Sequence, residues 1–218
     1  MNIRLRLRKK GGESKVTWGW QWLLLSTTLV LSTVVKGQIQ IRQVTWQGSG
    51  CDFQSVSATV SPDLQELSLL FDKYRIQLLP HDVPTVRKEC YIYIDVEVNP
   101  GISFAFKSVD YRGFRSIPSQ VEGYHRLAAL LEGQRVPHTR EIRWVGPSLG
   151  SYFHRVEAAS HRLQFSDCSK RFHRIMVVSQ LGLNRFRNAR QSQEALVDLD
   201  SQDFSGRQGF GIELRQCR

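Results

Sequence analysis

From residue 56 onward the apolar positions recur with a period of two, the spacing of a strand with one face buried. Val56, Ala58 and Val60 alternate with Ser57 and Thr59. After the turn signal Ser61-Pro62-Asp63, Leu67, Leu69 and Phe71 alternate with Ser68 and Asp72, which predicts a hairpin. Tyr74, Ile76 and Leu78 share one parity before the proline-interrupted stretch 79–84, where a central strand cannot continue. The clearest strand is 90–98, with Cys90, Ile92, Ile94, Val96 and Val98 on one face and Tyr91, Tyr93, Asp95 and Glu97 on the other. Asn99-Pro100-Gly101 then turns the chain, and 102–111 is expected as the antiparallel neighbour, Phe104 and Phe106 pointing inward.

Residues 121–132 contain Leu127-Ala128-Ala129-Leu130-Leu131, a run with helical propensity. A strand is still expected there, since a helix this short is marginal among β neighbours. Segments 141–145 and 152–157 read as another pair across Gly146-Pro147. Residues 174–183 are apolar on both parities, as suits a central strand, and 184–193 read as an Arg-rich loop. Phe210, Ile212 and Leu214 form a last alternating strand. About nine short strands separated by turn signals predict an all-β, antiparallel two-sheet β-sandwich.

Ahead of this pattern lies a different kind of segment. Arg4, Arg6, Arg8, Lys9, Lys10 and Lys15 precede an apolar run from Trp18 to Val35, and Gly37 stands just before Gln38. That order predicts a signal peptide over 1–37, with a single domain over 38–218. Gln21, Ser26, Thr27, Thr28, Ser32 and Thr33 dilute the run below a good membrane span. An uncleaved anchor is the alternative, and only then would the protein meet a membrane.

Charge reinforces this division. The chain of 218 residues has 30 Lys+Arg and 20 Asp+Glu, a net of +10, of which residues 1–37 carry 7 − 1 = +6. The domain keeps only +4, so the basic character belongs to the leader and no nucleic-acid partner is expected. Export to a secreted, extracellular or periplasmic setting changes the meaning of the cysteines. Cys51, Cys90, Cys168 and Cys217 are expected as two disulfides. Of three connectivities, Cys51–Cys90 with Cys168–Cys217 is preferred, because each pair brackets one run of strands.

Gly48-Ser49-Gly50-Cys51, Leu69-Leu70-Phe71-Asp72, Arg87-Lys88-Glu89-Cys90, Ser108-Val109-Asp110-Tyr111-Arg112-Gly113-Phe114 and Leu214-Arg215-Gln216-Cys217 occur in this order and spacing. Together they resemble the secreted domain-of-unknown-function 4360 family of bacteria and fungi, over about residues 45–217. The resemblance implies export, a β-rich fold and paired cysteines, and it implies no established activity.

The sharpest candidate site is Asp110-Tyr111-Arg112, read either as a small sugar-binding site or as a structural corner with Gly113 at positive φ. The corner is the stronger reading. Asp95 and Glu97 could suggest glycoside hydrolysis, but neighbours on one strand face do not flank a bond from opposite sides. A solvated polar face is favoured there. The six histidines, 81, 125, 138, 154, 161 and 173, show no metal-ligand spacing, so no metal and no cofactor are expected. Lys170, Arg171, Arg174, Arg185, Arg187 and Arg190 could bind an anionic polysaccharide, or serve as a charged edge. Trp46 and Trp144 could stack on sugars or fill the core. With no catalytic motif, the expected function is a non-catalytic structural or glycan-binding module, its partner an anionic polysaccharide or cell-surface glycan. An extracellular hydrolase of wall or matrix polysaccharide is the alternative, and a secreted inhibitor or toxin-like effector a third.

Overall fold

A computed structural model describes residues 39–52, 55–81, 83–136, 140–186, 193–199 and 207–217, all within one compact unit. The leader, His138, Arg187 and Arg190 lie outside the described residues. Among the described residues there are thirteen strands and one 3₁₀ turn, Ser160–Arg162. The strands are β1 (Ile39–Gln47), β2 (Val56–Val60), β3 (Glu66–Phe71), β4 (Arg75–Leu78), β5 (Thr85–Val98), β6 (Ile102–Ile117) and β7 (Val121–Leu131). Then come β8 (Gln134–Arg135), β9 (Glu141–Val145), β10 (Ser148–Glu157), β11 (Phe172–Arg185), β12 (Ala195–Asp198) and β13 (Arg207–Gln216).

They form two antiparallel sheets. The first runs β1-β5-β11-β7-β8, with β9 beside β7; the second runs β2-β3-β13-β6-β12-β4, with β10 beside β6. The fold is thus the expected sandwich, and β11 is the central strand foreseen, paired with β5 on one side and β7 on the other. Residues 121–131 are strand, as expected, because side-by-side pairing with β11 outweighs the helical propensity of the Leu-Ala-Ala-Leu-Leu run. The predicted loop begins late: Asn184 and Arg185 still belong to β11. Ile92, Ile94, Val96, Val177, Leu127 and Ala129 of the first sheet and Phe104, Val109, Phe210, Leu67 and Leu69 of the second are buried in one core.

Two expected pairings are corrected. β5 and β6 are joined through Asn99-Pro100-Gly101 but lie in different sheets, as do β9 and β10 across Gly146-Pro147. Each turn carries the chain over the rim of the sandwich, so the flanking strands face one another across the core. Inward alternation looks the same in both arrangements, which is why periodicity does not separate them.

The disulfides are Cys51–Cys90 and Cys168–Cys217. The Gly48-Ser49-Gly50-Cys51 string clamps the end of β1 to β5. The Gly50 N–H donates to Glu89 O at 2.8 Å, and the Ser49 hydroxyl accepts from Glu89 N–H at 3.1 Å. Gly48 has φ 135°, and a Cβ there would lie 2.2 Å from the Glu89 carbonyl oxygen. Gly48→Ala is therefore expected to lower stability by about 2 kcal/mol or more. Gly133→Ala, at φ 81° with nothing within 4 Å, should cost about half as much. Equal thermal midpoints for the two variants would refute the clamp.

Candidate functional site

β6 carries a register shift opposite Gly211/Ile212 of β13, which leaves Lys107 as the extra residue of a bulge. Phe104 and Phe106 face the core before it, and Val109 and Tyr111 after it. Lys107, Ser108 and Asp110 therefore all line the outer face of the second sheet. Next to them on β13, Gly209 and Gly211 have the same outward parity and no side chains. The result is a groove floored by Gly211 and walled by Glu66 on β3 and by Ser108 and Asp110 on β6. It has a volume of about 290 Å³, and Ser61, Asp63 and Gln65 close its end. A second depression of about 400 Å³ continues it toward Glu157, Ser160, Leu163 and Glu213, sharing Lys107, Ser108 and Arg155.

The structure separates the three candidate residues. Asp110 and Arg112 are on the outer face, whereas Tyr111 is wholly buried. Its hydroxyl donates to Arg140 O at 2.8 Å and accepts from Arg140 N–H at 2.9 Å. The corner reading is corrected too. The chain runs straight through Asp110–Gly113 as β6, paired with β10 and β13, and Gly113 is not among the glycines at positive φ. Gly113 is small for another reason: a Cβ there would lie 2.5 Å from Asp198 O and 2.7 Å from the Tyr152 hydroxyl.

Asp110 is the electrostatic centre of the face. Arg155 donates to it twice, Nε to Oδ1 at 2.7 Å and Nη2 to Oδ2 at 2.8 Å, and Arg112 Nη2 donates to Oδ2 at 2.8 Å. Burial alone would raise this carboxyl, but the hydrogen bonds from Arg155 and Arg112 outweigh it and hold it below the usual carboxylate range. Asp63 is also held low, first by the Ser61 hydroxyl and the Gln65 N–H, with a smaller pull from Lys107. Phe153 stands 54% exposed on β10, with the Arg112 guanidinium 4.7 Å from its ring centroid and Arg155 5.9 Å away. Sequence reasoning missed Lys107, Arg155, Phe153 and the two glycines. The phase change between Phe106 and Val109 was the signal for the bulge.

The other candidates are tied up elsewhere. Asp95 is held bidentately by Arg174 at 2.7 and 2.9 Å, and Glu97 is clamped between Arg42 and Arg171. The expected solvated polar face is instead an ion-paired one, with Glu97 buried. The basic cluster is dispersed: Lys170 is near Glu132 and Asp167, Arg171 pairs with Glu97, and Arg185 is buried, donating to Leu79 O. Trp144 is buried against Tyr152 at 4.5 Å, and Trp46 donates its Nε1–H to Asp52 O. His125 is fully buried, and desolvation pushes it down to about 3. Its Nδ1 lies 3.2 Å from the Tyr152 hydroxyl, and its Nε2 lies 3.4 Å from Ser179 Oγ. Ser179 is equally buried, so this serine–histidine contact cannot meet a substrate. His173 is enclosed between Glu132 and Lys170 O. Among the described residues no three His, Cys, Asp or Glu side chains gather to hold a metal ion.

The family model described as Domain of unknown function (DUF4360) matches residues 37–217. An "Uncharacterized secreted protein" of Arthroderma benhamiae is 30% identical over 182 residues, covering 83% of this chain and 72% of the relative. Among solved structures, one described as TmCBM61 in complex with β-1,4-galactotriose is 10% identical. It covers 80% of this chain and 88% of its own, at a TM-score of 0.26. A likeness that loose transfers no ligand.

Proposed function

This chain belongs to the DUF4360 family, and we propose that it is a secreted, non-catalytic module that binds glycans on the outer face of its second sheet. Secretion agrees with both closed disulfides and with the secreted relative. The observation that carries the reading is the bulge-and-glycine groove beside an exposed aromatic ring. Ser61, Ser108, Gln65, Asp63 and Lys107 supply donors and acceptors for hydroxyl groups, and Phe153 offers a face for a sugar ring. Asp110 and Arg112 serve as the scaffold of the face, Asp110 holding both guanidiniums beside the ring.

A hydrolase reading has one observation in its favour. A side chain on Gly209 would begin 3.4 Å from the Glu66 carboxyl carbon and 3.4 Å from the Asp110 Cβ, so two carboxylates approach one point. Glycoside hydrolysis needs one acid that keeps its proton. Asp110 cannot be that acid, and it cannot act well as the ionised partner either, because three N–H bonds from two arginines already fill its oxygens. Binding without turnover therefore fits better.

The test is affinity electrophoresis of the secreted protein in gels containing wall and matrix polysaccharides, run beside a reducing-end release assay. Retardation by at least one polysaccharide without sugar release is expected. Phe153→Ala should weaken it about 2- to 10-fold, the worth of one aromatic face. Sugar release abolished by Glu66→Gln would replace the binder with an enzyme.

A further inference from the structure

The groove also contains information about the charge of what it takes. Its two connected depressions are lined by the carboxylates of Asp63, Glu66, Asp110, Glu157 and Glu213, against the cations Lys107 and Arg155. Adding Arg112, which pairs with Asp110 from the side, and leaving out Glu66, which has a further partner of its own, leaves 3 − 4 = −1. Arg155 has its Nε and Nη2 engaged by Asp110, so much of its charge is matched inside the groove. Lys107 lines both depressions in the company of Asp63, Glu66 and Glu213. A uronate or sulfate entering here would meet net repulsion from the carboxylates and would lose hydration.

We infer that the groove accepts an uncharged glycan chain of at least two units, lying across the strands from Ser61 to Ser160, and excludes anionic polysaccharides. This rests on the glycan-binding reading and narrows it. The polar lining matches hydroxyl groups, which both donate and accept: serine hydroxyls and the Gln65 amide do the same, while the carboxylates accept and Lys107 donates. Length follows from the two depressions. Each is on the scale of a small-ligand pocket, and they join at Lys107, Ser108 and Arg155, so one continuous chain fills both. The absent side chain of Gly211 is a specificity element: a Cβ there would stand 2.3 Å from the Ser108 hydroxyl oxygen and 3.4 Å from Lys107 Cγ, inside the groove.

The experiment is calorimetric titration of the full secreted chain with two ladders of oligosaccharides. One ladder is uncharged (β-glucan, mannan, galactan and chitin series) and the other anionic (oligogalacturonate and heparin series). Expected is binding in an uncharged series that strengthens from one unit to at least two. Its affinity should stay within about twofold between about 0.05 and 0.5 M salt. Gly211→Val should weaken it about tenfold or more with an unchanged circular dichroism spectrum. A Gly211→Val variant that misfolds is replaced by the double variant Glu157→Lys, Glu213→Lys, both exposed positions. That variant should gain salt-sensitive binding to the anionic ladder, which the wild type lacks. Wild-type binding to the anionic series, weakened by salt, overturns the charge inference and leaves the glycan reading standing. Binding to neither ladder overturns both.

Discussion

Replacing Cys51 and Cys90 together by alanine should remove about 4 kcal/mol of stability. The crosslink spans 39 residues, and the chain-entropy relation for a loop of that size gives about this value. The bridge extends the β1–β5 ladder, which ends at Gln47 opposite Tyr91, and the Gly48–Cys51 clamp makes its contacts beside it at Glu89 and Cys90. The Cys168–Cys217 bridge spans 49 residues, and its removal should cost a similar amount. Domains of this size are stable by about 5–15 kcal/mol, so loss of both would leave few folded molecules. Guanidinium titration of the single-bridge variants measures this directly. A midpoint shift equivalent to under about 1 kcal/mol would mean that the unfolded ensemble is already constrained without the bridge.

The second large effect is acid sensitivity. His125 sits wholly inside the sandwich, and burial pushes it from 6.5 down to about 3. The unfolded chain takes up this proton near pH 6.5, the folded chain only near 3. Above about pH 7 both states hold a neutral ring and stability does not depend on it. As pH falls from 6.5 toward 3, stability is lost at up to about 1.4 kcal/mol per unit. The depressed carboxyls of Asp110, Asp95, Asp63, Asp167 and Glu97 act in the same direction, and their losses begin as pH approaches their ordinary values of 3.8 and 4.5. Between about pH 6 and 5 the histidine therefore dominates. His125→Gln should flatten urea midpoints over that window by about one proton's worth of slope, whatever its own baseline stability. An identical slope in both proteins would show that the ring takes up its proton without unfolding.

The strand pattern was readable wherever one face is buried and the phase holds. Residues 90–98 were legible because every second side chain, from Cys90 to Val98, enters the core. β1 was not, because its alternation breaks between Ile41 and Gln43, where the pairing with β5 shifts register. β12 was missed because its four residues are too few to show a period. The cysteine pairing followed from bracketing and holds, since each bridge joins positions brought close by the sheets. The site was much less legible. Asp110 and Arg112 stood out as a string, but their meaning depends on Arg155, 45 residues from Asp110 in sequence and directly opposite it across β6 and β10. Gly209 and Gly211 looked like gaps in a strand. Gly211 is a floor only because β3 and β6 stand on either side of β13, and no local pattern announces which strands become neighbours.

That placement has a temporal consequence. The strand that supplies the floor is the last of the thirteen to emerge during synthesis, yet it lies in the interior of its sheet between β3 and β6. Until it inserts, those two neighbours have no common partner and the cleft has no base. If the cleft takes a saccharide as proposed, a partially translocated polypeptide would not yet hold the site, and recognition would begin only once the whole domain had arrived outside the cell.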